Sequence, residues 1–364
     1  MSPKYTDLVA GLPASVPFVG PENLERAQGA RFKARLGANE NGFGPSKFTI
    51  AAMSQAAAET WMYGDPENHD IKETLAKHHG VRADNIVVGE GIDGLLGYLC
   101  RMCVEPGTDI VTSDGAYPTF NFHVAGYGGT LAKVPYRDDA EDPDALMAAA
   151  DRLRPRLIYF ANPDNPMGSE HGPAVVAEMI ARVPDGSLLI LDEAYCEFSA
   201  LGTVPIDVGN ERVIRFRTFS KAYGMAGARV GYGIGASGLI GSFDKIRNHF
   251  AMSRVSVAGA MAALADGQNL NSVLERTARA RTRLAEIAGE HGLRALPSAA
   301  NFVTIDCGRD GDYARRVLAG LVGAGIFVRM PGVAPMDRCI RVSVGPDAEI
   351  DRFATEFGPA LAKA

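Results

Sequence analysis

The chain has 364 residues, a net charge of −6 and no long basic run, which argues against nucleic acid or an anionic membrane as a partner. A hydrophobic fraction of 46% with 22% charged residues describes an ordinary soluble globular protein, and the length predicts two subdomains sharing a cleft rather than one small core. Five cysteines at irregular spacings argue against a disulfide framework; with no apolar run of membrane-spanning length and no secretory pattern at the start, a cytoplasmic protein is expected.

Residues 1–46 read as an irregular, Pro- and Gly-containing start. From about residue 85 the pattern changes to short apolar runs alternating with helical stretches. The runs are Asn85-Ile86-Val87-Val88, Asp109-Ile110-Val111, Leu157 to Phe160, Leu188 to Leu191 and Val213 to Phe216. Strands spaced by helices in this way predict βαβ units and a mainly parallel sheet flanked by helices. Their continuations are GEGIDG, TSDGAYP, ANPDNPMG, DEAY and RTFSK. Polar and ionisable residues thus collect at the carboxyl ends of parallel strands, where open α/β sheets bind ligands. Beyond residue 245, residues 268–291 predict a long amphipathic helix. Asn301 to Ile305, Ile326 to Arg329 and Cys339 to Val344 predict strands of a smaller sheet.

Lys221 ends the RTFSK segment and is followed by a Gly-rich turn leading to Arg229. A lysine after a strand is ordinarily a solvated surface residue. Beside Thr218, Ser220 and Arg229, however, it stands in a set able to hold a phosphate and present an amine for Schiff-base chemistry. Asp192 ends a four-residue apolar run, so its carboxylate needs a cation or strong donor to stay ionised. GEGIDG, residues 89–94, fits G-x-G-x-x-G before a helix. Neither Asp109 nor Asp114 stands where a dinucleotide site needs its acidic residue, so a phosphate at the helix N-terminus is expected without a dinucleotide. Asn165 lies in a Pro-rich turn, its amide free to bond its own backbone or a ligand oxygen. The Cys100-Arg101-Met102-Cys103 segment lies in a helical stretch with no second pair, which predicts core packing. Tyr223 and Met225 are likewise expected to pack, and His78, His79 and His123 show no metal spacing.

With these segments assembled, the chain resembles the fold-type-I, pyridoxal-phosphate-dependent aminotransferases of class I/II, and most of all the histidinol-phosphate aminotransferases. The resemblance rests on NENGFGPS at 39–46, YGDPENHDIKETLAKHHGV at 63–81, VEPGTDIV at 104–111, NPDNPMG at 162–168, DEAY at 192–195, TFSKAYGMAGARVGY at 218–232 and RCIRVSVG at 338–345. It implies an N-terminal arm (1–45) joining a smaller α+β domain (249–364), and a large cofactor-binding domain (46–248). It further implies pyridoxal 5'-phosphate as cofactor, with Lys221 forming its Schiff base and then moving the substrate Cα proton. Asp192 is expected at the ring nitrogen, with Asn165 and Tyr195 at the ring oxygen. Thr218, Ser220, Arg229 and the backbone at Ile92 and Asp93 are expected at the phosphate, and Phe120, or as second choice Tyr117, stacked on the ring. Arg341, with Arg329, Asn39 and Phe18, is expected at the substrate. Tyr63 is expected to reach across a homodimer interface to the partner's phosphate.

The amino donor implied is histidinol phosphate or an aromatic amino acid, and the acceptor a 2-oxo acid such as 2-oxoglutarate. Two positions depart from the family pattern. Ile92-Asp93-Gly94 lacks a side-chain hydroxyl in the phosphate turn. Phe18 stands for a tyrosine whose hydroxyl helps hold the substrate phosphate, so histidinol phosphate is expected to be a mediocre substrate. Decarboxylation of the threonine-phosphate decarboxylase type would use the same lysine and aspartate, since cofactor and fold do not fix the reaction.

Overall fold

The computed structural model describes residues 4–14 and 18–364, so residues 1–3 and 15–17 of the expected arm lie outside the described residues. Its strands, in chain order, begin with β1 (Ala34–Arg35), β2 (Ile86–Gly89), β3 (Asp109–Ser113) and β4 (Thr130–Val134). Next come β5 (Leu157–Ala161), β6 (Leu188–Asp192), β7 (Val213–Thr218) and β8 (Gly231–Gly235). The last four are β9 (Arg294–Ala295), β10 (Phe302–Asp306), β11 (Ile326–Phe327) and β12 (Cys339–Ser343).

Seven strands form the main sheet in the order β2-β8-β7-β6-β5-β3-β4. Pairs from β4 through β7 are parallel, whereas β8 runs antiparallel to both neighbours. Continuous apolar runs such as Leu188-Leu189-Ile190-Leu191 suit this sheet because both faces are covered. On one face Leu95, Leu96 and Leu99 of helix Gly91–Cys103 pack with Phe120 and Ile190, and Cys100 joins them. On the other, Leu146 and Met147 of helix Pro143–Leu153 pack with Val176, Met179, Leu189 and Leu191. Tyr223 and Met225 are buried in a third cluster with Phe219 and Tyr232.

The smaller sheet is antiparallel, in the order β12-β10-β9. The sequence placed Ile326 to Arg329 in it, but β11 pairs instead with β1, in parallel. Only the single bridge between Arg329 and Arg341 continues that strand toward β12. The supposedly irregular start therefore supplies a strand, preceded by helices Asp7–Gly11 and Pro21–Gln28. Helix Gly267–Glu290 buries Val273, Thr277, Ala280, Leu284 and Ile287, a spacing of three and four that puts them on one face. Val273 packs with the core around Phe219, and Ala280, Leu284 and Ile287 with the core of the smaller sheet, so one helix joins the two.

Candidate active site

The carboxyl ends of the central parallel strands open into a cavity of about 430 Å³. Parallel strands present their free ends, with backbone groups unpaired and helix N-termini nearby, on this one edge. The walls bring together Lys221, Asp192, Tyr195, Asn165, Thr218, Ser220, Arg229, Ile92 and Asp93, and also Asn39, Phe18, Arg329 and Arg341.

Asp192 is the last residue of β6 and 5% exposed. Its Oδ2 accepts from the Tyr159 hydroxyl at 2.6 Å and its Oδ1 from the Ala194 backbone N–H at 3.0 Å. Hydrogen bonds to a charged group return about 1.5–3 kcal/mol each. Taking a carboxylate out of water costs several kcal/mol or more. Burial outweighs both donors, leaves the charge balance incomplete and holds the Asp192 carboxyl above its ordinary range. A further cationic donor inside the cavity would complete it. Glu193, the next residue, accepts from Arg215 at 3.0 and 2.5 Å and from Arg217 at 2.8 Å, clamping the end of β6 to β7.

Lys221 follows β7 across the same cavity. Its Nζ donates to the backbone carbonyl of Asn39 at 3.0 Å. Burial, and then the cations of Arg341 and Arg229, lower its pKa to about 8. At pH 7 roughly a tenth of the amine is then neutral, against a few ten-thousandths for an ordinary lysine. The neutral amine is the nucleophile, so the site activates it.

Thr218 and Ser220 are buried at the far end, with the Thr218 hydroxyl 2.9 Å from that of Ser220. Arg229 adopts a left-handed backbone (φ 54°) and brings Nη1 to 3.4 Å from Ser220 Oγ. Opposite them, helix Gly91–Cys103 begins with free N–H groups and the positive end of its dipole. Two glycines allow this approach. A Cβ on Gly91 would lie 2.5 Å from the Arg229 guanidinium, and one on Gly231 would lie 2.6 Å from the Gly91–Ile92 backbone. Hydroxyls, a guanidinium and a helix N-terminus around one space form a cradle for a phosphate.

At the mouth, Arg341 donates through Nη1 to Asn165 Oδ1 and through Nη2 to the Gly37 carbonyl at 3.3 Å, while its buried Nε has no partner among the described residues. Because Asn165 accepts with its oxygen, its NH₂ is turned free to donate. Asn39, also left-handed at φ 53°, is held by the Ser343 hydroxyl (3.0 and 3.1 Å) and donates its own amide to the Tyr195 hydroxyl at 3.0 Å. Phe18 lies between Tyr117, at 6.1 Å between ring centroids, and the Arg329 guanidinium, 5.3 Å from its ring.

One expected residue is elsewhere. Phe120 is fully buried behind the wall, stacked on Tyr159 at 4.7 Å, and the aromatic ring that lines the cavity at this point is that of Tyr117. Tyr117 is the N-cap of helix Pro118–Gly126 and stays at the strand ends, whereas Phe120 lies one turn inside and faces the sheet. Tyr63, expected to act across a subunit boundary, is 78% exposed and packs on Phe250. The sequence reading missed Tyr159 and Ser343. For Tyr159 the signal was a tyrosine inside a wholly apolar strand, whose hydroxyl must find a buried partner.

Residues 33–357 match the family model "Aminotransferase class I and II". The chain belongs to that family. It is 32% identical to the histidinol-phosphate aminotransferase of Moorella thermoacetica over 99% of this chain and 94% of the relative. It is 34% identical to histidinol-phosphate aminotransferase 1 of Mesorhizobium japonicum over 93% of each. The crystal structure of a histidinol-phosphate aminotransferase from Sinorhizobium meliloti, in complex with pyridoxal-5'-phosphate, superposes with a TM-score of 0.97 at 51% identity, over 100% of this chain and 98% of that one. An aspartate aminotransferase from Thermus thermophilus shares the fold at 19% identity, with a TM-score of 0.82 over 99% of this chain and 100% of that one. The three proteins thus share one fold, seen in this chain as a mainly parallel central sheet with a smaller antiparallel one.

Proposed function

We propose that this aminotransferase holds pyridoxal 5'-phosphate at Lys221 and moves an amino group between histidinol phosphate and a 2-oxo acid of the 2-oxoglutarate type. The observation that carries the reading is one cavity with an activated amine, an under-compensated carboxylate and a phosphate cradle on three adjoining walls. The cofactor offers an aldehyde, a basic ring nitrogen and a phosphate, which fit those three features. When bound, it supplies an electron sink for the carbanion left when the substrate Cα loses its proton.

The chain's own groups do the rest. Asp192 holds the proton at the ring nitrogen. Asn165, through its free NH₂, and Tyr195 donate toward the ring oxygen. Thr218, Ser220, Arg229 and the amides at Ile92 and Asp93 bind the phosphate, and Tyr117 covers the ring. Lys221 would hold the cofactor's aldehyde carbon and, within the cavity, would carry the Cα proton, work typically worth about 10²–10⁴-fold. In histidinol phosphate the phosphate hangs near Cα where an amino acid has its carboxylate. One guanidinium, that of Arg341, therefore serves both the donor and the oxo acid by paired N–H groups. Asn39, Arg329 and Phe18 shape the rest of this end.

The reading includes an arm (1–45), a large body (46–248) and a small body (249–364), with the β1–β11 pairing tying the arm to the small body. It also includes a homodimer in which Tyr63 reaches the partner's phosphate cradle. Trp61, Tyr63 and Phe250, exposed by 82%, 78% and 52%, support such a covered face. The test is a donor profile of the cofactor-loaded enzyme with histidinol phosphate, phenylalanine and tyrosine, alongside Lys221→Ala. The reading expects turnover with histidinol phosphate and loss of the visible Schiff-base band in the variant. A band unchanged by Lys221→Ala, or no transfer from histidinol phosphate, would overturn it.

A further inference from the structure

Tyr159 sits in the middle of β5, fully buried, and its hydroxyl has a buried charged partner across the strand pair. Registers explain the meeting. β5 and β6 run parallel with Ala161 opposite Asp192, so Tyr159, two residues back on the same face, extends its ring along the sheet to the Asp192 carboxylate. Phe120 stacks on that ring at 4.7 Å and 16°, so the hydroxyl is aimed by packing as well as by its hydrogen bond. Among the described residues no other side chain donates to Asp192; its second protein donor is the Ala194 backbone N–H.

We infer that Tyr159 is a positioning residue that keeps the Asp192 carboxylate ionised and fixed in orientation, so that their shared proton stays on the ring nitrogen of the bound cofactor. The inference rests on the cofactor reading above. In a site with little water, a carboxylate and a pyridinium compete with the neutral pair of carboxylic acid and pyridine, the proton moving between O and N with nothing else gained or lost. A donor on the carboxylate favours the charged pair, because it bonds more strongly to O⁻ than to a carboxyl. A phenol held by an aromatic stack does this with no freedom to turn away. The ring then remains the stronger electron sink, which Tyr159 secures through Asp192.

Tyr159→Phe removes one oxygen and keeps the ring packed on Phe120. In the cofactor-loaded enzyme the expected result is a kcat lower by roughly ten- to hundredfold, the equivalent of one charge-assisted hydrogen bond, with KM for the amino donor little changed. The deciding readout is nitrogen NMR of enzyme loaded with ¹⁵N-labelled cofactor. The ring-nitrogen resonance should move from the pyridinium position in the wild type toward that of neutral pyridine in the variant. A resonance unmoved by the substitution would overturn the inference, even if kcat or thermal stability fell, because a merely structural tyrosine would change those alone. A wild-type enzyme that took up no labelled cofactor would instead sink the cofactor reading itself, so the two failures are told apart.

Discussion

The two halves of the cavity are built in different ways. The half made by the large sheet takes Asp192, Thr218, Ser220 and Lys221 from the ends of two adjacent strands, β6 and β7, clamped together by Glu193, Arg215 and Arg217. The half at the mouth is assembled across long stretches of chain: Asn39 is held by Ser343, Arg341 by Asn165, and Arg329 lies over Phe18. Neighbouring strand ends are fixed by backbone ladders, so their side chains vary little in position. Contacts between an N-terminal segment, the main sheet and the small sheet have no such shared ladder. On the proposed reading, the chemistry belongs to this ladder-fixed, rigid half and substrate selection to the mouth.

Substitutions that separate chemistry from binding sharpen this contrast, and the largest effect belongs to the rigid half. Lys221→Met should lower kcat by on the order of 10⁴-fold, since no neighbour can replace its amine. In the cofactor-free protein the same change should stabilise the fold. Lys221 has a folded pKa of about 8, below the 10.5 of an exposed lysine, so below pH 8 folding must strip a proton or bury a charge. The unfolded chain binds more protons between these values, so wild-type stability rises with pH there. The gain from Lys221→Met, on the order of 3 kcal/mol at pH 7, should fade from pH 8 to 10.5 in denaturant titrations. A gain independent of pH would break this part of the account.

Intermediate effects belong to the mouth. Arg341→Lys exchanges a paired donor for a point charge, and should raise KM for both donor and oxo acid about tenfold while kcat falls less. A loss confined to kcat would place Arg341 with the rigid half. The smallest effect is expected for Phe18→Tyr. Adding a hydroxyl beside Arg329 should lower KM for histidinol phosphate a few-fold, about one neutral hydrogen bond, and leave phenylalanine unaffected. Steady-state kinetics with both donors measures it.

The same division governs what the sequence made legible. The strand runs ending in Asp192 and Thr218 could be read because continuous apolar segments between helices leave few topologies. Both appear as β6 and β7 with their polar ends on the cavity. β4 and β8 were not read: Thr130–Val134 is partly exposed and Gly231–Gly235 holds three glycines, so neither shows an apolar run. At the mouth, sequence order says little about proximity. That Ile326-Phe327 pairs with Ala34-Arg35 rests on a contact nearly 300 residues apart, and no local pattern records it. Tyr117 and Phe120 stand three residues apart at a helix start, and only the position of the cap decides which ring faces the cavity.

The central claim is that one cavity carries out reversible amino transfer. Its most direct test follows the visible absorbance of the cofactor-loaded enzyme as histidinol phosphate and then 2-oxoglutarate are added in stoichiometric amounts. The expected result is that the Schiff-base band disappears with the donor and returns in full with the oxo acid. A band that never disappears with the donor, or one that fails to return with the oxo acid, would contradict it.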